Sequence, residues 1–277
     1  MLHDMEDSTI HIRGDVAIHY RLEGRKEGPL ILLSNSLSTN LHSWDNIASR
    51  LRRQKYSVLR YDQRGHGLSP PSSEACTFSD LAADVTFLLD KLGIVKIYAF
   101  CGISMGAATG VYFAAQYPER LERLIVADVL TSSSPQGNAA MERRIELAQD
   151  DDGTRLADDT LSRWFPASSL SSQRESIANI RTGIIETPVQ GFINCVRALQ
   201  SFDLGPLLPH LNHVAVLFIV GEHDGALPQS MEKLAAQVPH AKLVTIAAAG
   251  HLSMIDGEEQ FAKALEDFLQ LETKSTL

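Results

Sequence analysis

Between Lys96 and Gly110 the chain reads Lys96-Ile97-Tyr98-Ala99-Phe100-Cys101-Gly102-Ile103-Ser104-Met105-Gly106-Ala107-Ala108-Thr109-Gly110, and no other stretch restricts the fold so tightly. An apolar strand runs into Gly102-Ile103-Ser104-Met105-Gly106 and on into the helix-compatible Ala107 and Ala108. The pattern G-x-S-x-G therefore falls where a strand must turn sharply into a helix, the arrangement of a nucleophile elbow. Such a turn brings neighbouring backbones too close for a Cβ at either flank, and glycine tolerates both the crowding and the unusual dihedrals. Ser104 then stands clear of the sheet, where an imidazole can approach its Oγ from one side and a carbonyl carbon from the other. The N–H of Met105, at the N-terminal end of the helix, can donate to a developing oxyanion. The motif also occurs by chance in ordinary strand-turn-helix corners, so the rest of the chain has to decide.

The flanking sequence supplies the context. Thr9-Ile10-His11-Ile12-Arg13 and Val16-Ala17-Ile18-His19-Tyr20-Arg21-Leu22 alternate around Gly14-Asp15, which predicts an antiparallel hairpin. Leu30-Ile31-Leu32-Leu33 is a continuous apolar run, as in a strand covered on both faces. Strand and helix then alternate: helix over 44–53, strand over 56–61, helix over 79–92, the elbow strand, helix over 105–116 and strand over 124–128. Repeated βα units of this kind predict an α/β fold with a mostly parallel, doubly wound sheet. The alternation breaks between 131 and 208, where the sequence is polar and helical, and resumes with strands over 214–220 and 242–246 and helices over 229–237 and 257–271. The expected organisation is one core, residues 1–130 and 209–277, with a helical cap, 131–208, inserted over the mouth of the sheet.

A serine hydroxyl is a weak nucleophile at neutral pH and needs a base, which in turn needs a carboxylate to hold its tautomer. In this architecture the partners follow the serine in the order acid, then His, on loops just behind strands. Asp224, in Gly221-Glu222-His223-Asp224-Gly225, and His251, in Ala249-Gly250-His251-Leu252, meet both conditions. Glu222 and Asp128 are rival acids. His66, in Asp62-Gln63-Arg64-Gly65-His66-Gly67, precedes the serine and is better suited to fixing a loop, and His223 reads as a solvated loop residue without metal-ligand spacing. Leu37, in the loop Ser34-Asn35-Ser36-Leu37-Ser38, is the candidate for the second oxyanion donor.

The net charge of −9 with scattered basic residues argues against nucleic acid as a partner. Three widely spaced cysteines, Cys76, Cys101 and Cys195, form neither a disulfide framework nor a metal signature. The N-terminal Met1-Leu2-His3-Asp4-Met5-Glu6-Asp7 is acidic and has no apolar core of a signal peptide, and no run reaches the roughly 18 apolar residues of a membrane span. A cytoplasmic protein is expected.

Nearly the whole chain resembles the α/β-hydrolase family. Leu33-Ser34-Asn35-Ser36-Leu37, Leu41-His42-Ser43-Trp44-Asp45, Asp62-Gln63-Arg64-Gly65-His66-Gly67, Arg163-Trp164-Phe165-Pro166 and Gly250-His251-Leu252-Ser253 are similar to segments of the 3-oxoadipate enol-lactonases of aromatic-compound degradation. Asn35-Ser36, at the place where many α/β-hydrolases read His-Gly, narrows the resemblance to this group; a departure from it is Ala107, which replaces a second glycine behind the elbow. The similarity is weak from 131 to 160. The resemblance implies a carboxylic ester hydrolase that opens an enol-lactone through an acyl-enzyme, without cofactor or metal. A small ester or lactone would be its partner, with neither nucleic acid nor membrane. A substrate with its own carboxylate would call for a cation near the pocket, for which Arg143, Arg144 and Arg163 are candidates, and Trp164 is a candidate wall. Alternatives are a carboxylesterase, a lactonase for another ring, a carbon–carbon bond hydrolase, and a non-catalytic ligand-binding homologue.

Overall fold

A computed structural model describes residues 2–150, 152–172 and 174–270. Residue 1, residues 271–277 and hence the very end of the expected last helix lie outside the described residues. The chain opens with β1 (Leu2–Arg13) and β2 (Val16–Arg25), followed by β3 (Leu30–Ser34), α1 (Asp45–Arg53), β4 (Ser57–Tyr61), α2 (Phe78–Lys91), β5 (Ile97–Ile103), α3 (Met105–Gln116) and β6 (Leu121–Ala127). Helices α4 (Pro135–Asp150), α5 (Thr154–Trp164), α6 (Ala167–Ser171), α7 (Glu175–Glu186) and α8 (Val189–Leu199) come next, with no strand between them among the described residues. The chain then returns through β7 (Ala215–Gly221), α9 (Leu227–Ala235), β8 (Lys242–Ile246), α10 (Ser253–Asp256) and α11 (Glu258–Leu269).

The strands form one sheet in the order β1-β2-β4-β3-β5-β6-β7-β8. β2 pairs antiparallel with β1 and β4, and the remaining neighbours are parallel. This is the α/β-hydrolase fold. Its centre is built from near-continuous apolar runs, as parallel strands covered on both faces require. Polar and apolar residues do not alternate there: Ile31, Leu32, Leu33, Phe100, Ile125 and Phe218 are all fully buried.

Register positions the site. Ser34 lies beside Gly102, Ile103 beside Ala127, and Ala127 beside Ile219, so β3, β5, β6 and β7 end nearly level. Two further backbone bonds, Ser104 N–H to Ala127 O at 2.8 Å and Asp128 N–H to Ile219 O at 3.0 Å, carry the alignment past the strand ends. Residues 35–37, 104, 128 and 224 therefore meet along one edge, the carboxyl end where ligands bind in open α/β sheets.

Three of the local boundaries that differ from the sequence reading have an identifiable setting. A 3₁₀ turn, Leu41–Trp44, precedes α1, because the Asn40 side chain accepts the His42 N–H and starts the turn early. Helix α9 begins at Leu227 rather than 229, with Pro228 in its first turn, where its missing N–H costs no helical bond. The helix expected over 257–271 runs over Glu258–Leu269, and a short helix absent from the sequence reading, α10, precedes it, the two meeting at Gly257, where a Cβ would lie 2.2 Å from Ile246 Cγ2. No described helix is long and apolar enough to cross a membrane.

Candidate active site

Ser104 sits between β5 and α3 at φ 54° and ψ −115°, a conformation that side chains rarely adopt. The flanking glycines make it possible. A Cβ on Gly102 would lie 2.2 Å from Gly106 O, and one on Gly106 would lie 2.3 Å from Ser34 O. The second contact presses the elbow against the loop behind β3. That loop is held from below: the Asn35 amide donates to Tyr61 O at 2.9 Å, and Gln63 Nε2 donates to Asn35 O at 3.2 Å. Asn35, the residue that departs from the His-Gly pattern, is thus a brace between β3 and β4. Leu37 in the same loop lines the cavity above Ser104. Met105 opens α3, and its N–H belongs to the first-turn donors that have no acceptor within the helix.

The cavity has a volume of about 270 Å³ and brings Ser104, Asp224 and His251 together. His251 Nδ1 and Asp224 Oδ2 are 2.7 Å apart, which directs Nε2 away from the acid. Burial disfavours the imidazolium, yet the charge and hydrogen bond of Asp224, aided by Asp128, outweigh it and raise the His251 pKa above its ordinary value. The backbone of His251 is anchored as well, its N–H donating to Trp164 O at 2.7 Å. The Trp164 ring stacks on the imidazole with centroids 5.6 Å apart, so Trp164 both walls the cavity and packs α5 onto the core.

The rival residues have other occupations. Glu222 Oε2 accepts the Ala248 N–H at 2.8 Å and braces the turn behind β8, while His223 is half exposed beside it. His66 is fully buried, donates from Nδ1 to Arg64 O at 3.1 Å, and burial lowers its pKa. Asp128 is fully buried and does line the cavity. Its Oδ1 accepts the Gly221 N–H at 2.7 Å and its Oδ2 accepts the Ser253 hydroxyl. Burial first, and then repulsion from Asp224, push this carboxyl well above the usual carboxylate range. The partnership with Ser253 was not legible in the sequence, since the two residues are 125 positions apart.

Among Arg143, Arg144 and Arg163, on helices α4 and α5, the structure separates one from the others. Arg144 and Arg163 line the cavity, whereas Arg143 is exposed and lies outside it, one step of about 100° around the helix from Arg144. Arg163 is paired with Asp159 at 3.0 Å. Arg144 has no carboxylate partner among the described residues; its Nη1 lies 3.3 Å from Met141 Sδ. Burial, with repulsion from Arg163, lowers its pKa to about 10, so it remains a cation at neutral pH. The apolar wall, Met141, Phe192, Leu199, Phe202 and Leu227, comes from segments whose pattern carries no sign of a ligand surface. Among the described residues no cluster of His, Cys, Asp or Glu is arranged to hold a metal ion.

Comparison with known proteins identifies the family and agrees with the fold. Residues 29–258 match the alpha/beta hydrolase fold family. The chain is 31% identical to 3-oxoadipate enol-lactonase 2 of Acinetobacter baylyi over 91% of its length and 92% of that protein's. Its structure is similar to the enol-lactonase from Burkholderia xenovorans LB400, with a TM-score of 0.88, 33% identity, and coverage of 95% of this chain and 100% of that one. It is also similar to a thermophilic esterase from Thermogutta terrifontis solved with malate bound, with a TM-score of 0.86, 26% identity, and coverage of 95% and 98%.

Proposed function

The chain belongs to the alpha/beta hydrolase fold family, and on that premise we propose that it is a serine hydrolase opening an enol-lactone that carries a free carboxylate. Ser104 is the nucleophile, His251 the base and Asp224 the residue that holds the base in its tautomer. Ser104 Oγ attacks the lactone carbonyl while His251 Nε2 takes its proton. The N–H groups of Leu37 and Met105 receive the oxyanion as the tetrahedral intermediate forms. The ring C–O bond then breaks, and His251 returns its proton to the departing enol oxygen, which stays tethered within the same acyl-enzyme. Water, deprotonated by His251, attacks the acyl carbon; the bond from that carbon to Ser104 Oγ breaks as His251 returns the proton to Oγ, and the released enol acid tautomerises to the open-chain oxo acid.

The observation that carries the substrate class is Arg144. A cation half shielded from water, unpaired with any described carboxylate and facing the same cavity as Ser104, is costly unless an anion joins it. The enol-lactonases to which the chain is similar fit this reading. Helices α4 to α8 act as the cap that excludes water, and the chain works without cofactor in the cytoplasm. The test is hydrolysis of 3-oxoadipate enol-lactone beside p-nitrophenyl acetate by wild type and Ser104→Ala. Preference for the lactone by orders of magnitude, lost in Ser104→Ala, supports the reading. Cleavage of the simple ester alone leaves a carboxylesterase.

A further inference from the structure

The peptide that carries His251 is gripped from two sides. On one side its N–H donates to Trp164 O, and a Cβ on the preceding Gly250 would lie 2.1 Å from that same oxygen, so the segment lies flush against the end of α5. On the other side the Gly250 N–H donates to Asp256 Oδ2 at 2.9 Å. Asp256 is itself fixed. Its Oδ1 receives Arg174 Nη2 at 2.5 Å, and Arg174 Nη1 donates to the carbonyls of Ile255 and Asp256, each at 3.3 Å. The Asp256 side chain is 1% exposed and that of Arg174 36% exposed. Arg174 stands at the start of α7, 82 residues before Asp256, so the guanidinium comes from the helical segment and the carboxylate from the core.

A carboxylate this buried depends on its cation, because removal of the partner leaves an uncompensated charge that must find water or move. Movement of Asp256 would release the Gly250 N–H, and the imidazole of the next residue would turn with it. Alignment errors of about 1 Å at a reacting group cost on the order of 100-fold in rate.

We propose that Arg174 is a positioning residue for His251, acting through Asp256 and the Gly250 N–H, so that seating of α7 on the core and alignment of the base are one event. The inference rests on the serine-hydrolase reading above and adds to it a residue that touches neither substrate nor base.

The experiment uses the full chain as wild type, Ser104→Ala, Arg174→Gln, Arg174→Lys and Asp256→Asn. The probe is an alkyl fluorophosphonate: Ser104 Oγ forms a bond to phosphorus, its proton passes to His251, and fluoride leaves. Labelling rate, kcat and KM for p-nitrophenyl acetate, and Tm are recorded. Arg174→Gln is expected to slow labelling and kcat about 10-fold with KM within about 2-fold, Arg174→Lys to recover most of the loss, and Asp256→Asn to fall with Gln. A labelling rate unchanged in Arg174→Gln, whatever its Tm, overturns the inference, since a merely structural contact lowers Tm without slowing Ser104. An Arg174→Lys protein as slow as Arg174→Gln overturns it too. Should Arg174→Gln fail to fold, Asp256→Asn decides on the same criterion. Labelling that persists in Ser104→Ala defeats the serine-hydrolase reading itself, whereas full dependence on Ser104 with an unaffected Arg174→Gln defeats this inference alone.

Discussion

The N–H of His251 donates to the carbonyl oxygen of Trp164 over 2.7 Å, while the two rings stack 5.6 Å apart. A main-chain bond of this kind ties the loop behind β8 to the last turn of α5, and it does so independently of side-chain identity at either position. The Trp164 ring then contributes what the backbone cannot, a flat apolar face that fixes the plane of the imidazole and closes one side of the cavity. The sequence suggests Trp164 as a wall of the pocket, and the structure places it both at the cavity and against the loop that carries His251.

Ser104 at φ 54° and ψ −115° stores backbone strain, which for a non-glycine residue in a sparsely populated region is of the order of 1–3 kcal/mol. Ser104→Gly is expected to abolish hydrolysis and yet to be more stable than Ser104→Ala by about 1 kcal/mol, after allowing for the greater freedom of glycine in the unfolded chain. Urea denaturation of the two variants measures the difference. Equal stability would mean that the elbow is relaxed.

His251 must be neutral to act as a base, and its pKa is raised because Asp224 outweighs the effect of burial. The acid limb of kcat/KM should therefore lie above the ordinary imidazole value of about 6.5. In Asp224→Asn the charge that chiefly opposes burial is gone and the smaller pull of Asp128 is left to oppose it, so the limb moves to lower pH while kcat falls by about 10⁴-fold. Stability runs the other way. A raised folded-state pKa contributes stability that is complete below the unfolded value and is lost as pH rises through the folded one. A pH–rate profile and Tm measured across about pH 5 to 9 together check both signs.

Asp128 and Asp224 both line the cavity, and one substitution tells their roles apart. Asp128→Asn can still accept the Gly221 N–H and meet the Ser253 hydroxyl, without a carboxyl that burial has pushed well above its usual range. The wild-type group favours the folded state at low pH and loses that contribution as pH rises. The Tm advantage of Asp128→Asn over wild type should accordingly grow from about pH 4 to pH 8, with hydrolysis within about 10-fold of wild type. Loss of activity as deep as in Asp224→Asn would make Asp128 the working acid.

Arg144 is the cavity cation without a carboxylate partner among the described residues. Arg144→Gln should raise KM for a carboxylate-bearing enol-lactone about 10- to 100-fold, the value of one charge-assisted pair, and leave p-nitrophenyl acetate within about 2-fold. Arg163→Gln, removing a residue already paired with Asp159, should do less. Equal effects on both substrates would remove Arg144 from substrate recognition.

What the sequence by itself determined were the features with local causes. The elbow follows from glycines at 102 and 106 beside an apolar strand, the parallel sheet from uninterrupted apolar runs alternating with helices, and Asp224 and His251 from their place directly behind strands. Each of these depends on residues within a few positions of one another. Tertiary structure decided the rest, because it depends on contacts across long stretches of chain. Arg143 and Arg144 are adjacent and identical in type, and only the packing of α4 turns one into the cavity and the other to solvent. Asp128 meets Ser253, and Arg174 meets Asp256, across 125 and 82 residues, through the level ends of the strands and the seating of α7. Hydrophobic pattern sets which face of an element is buried; which side chains then share a cavity is fixed by register and by the docking of whole elements.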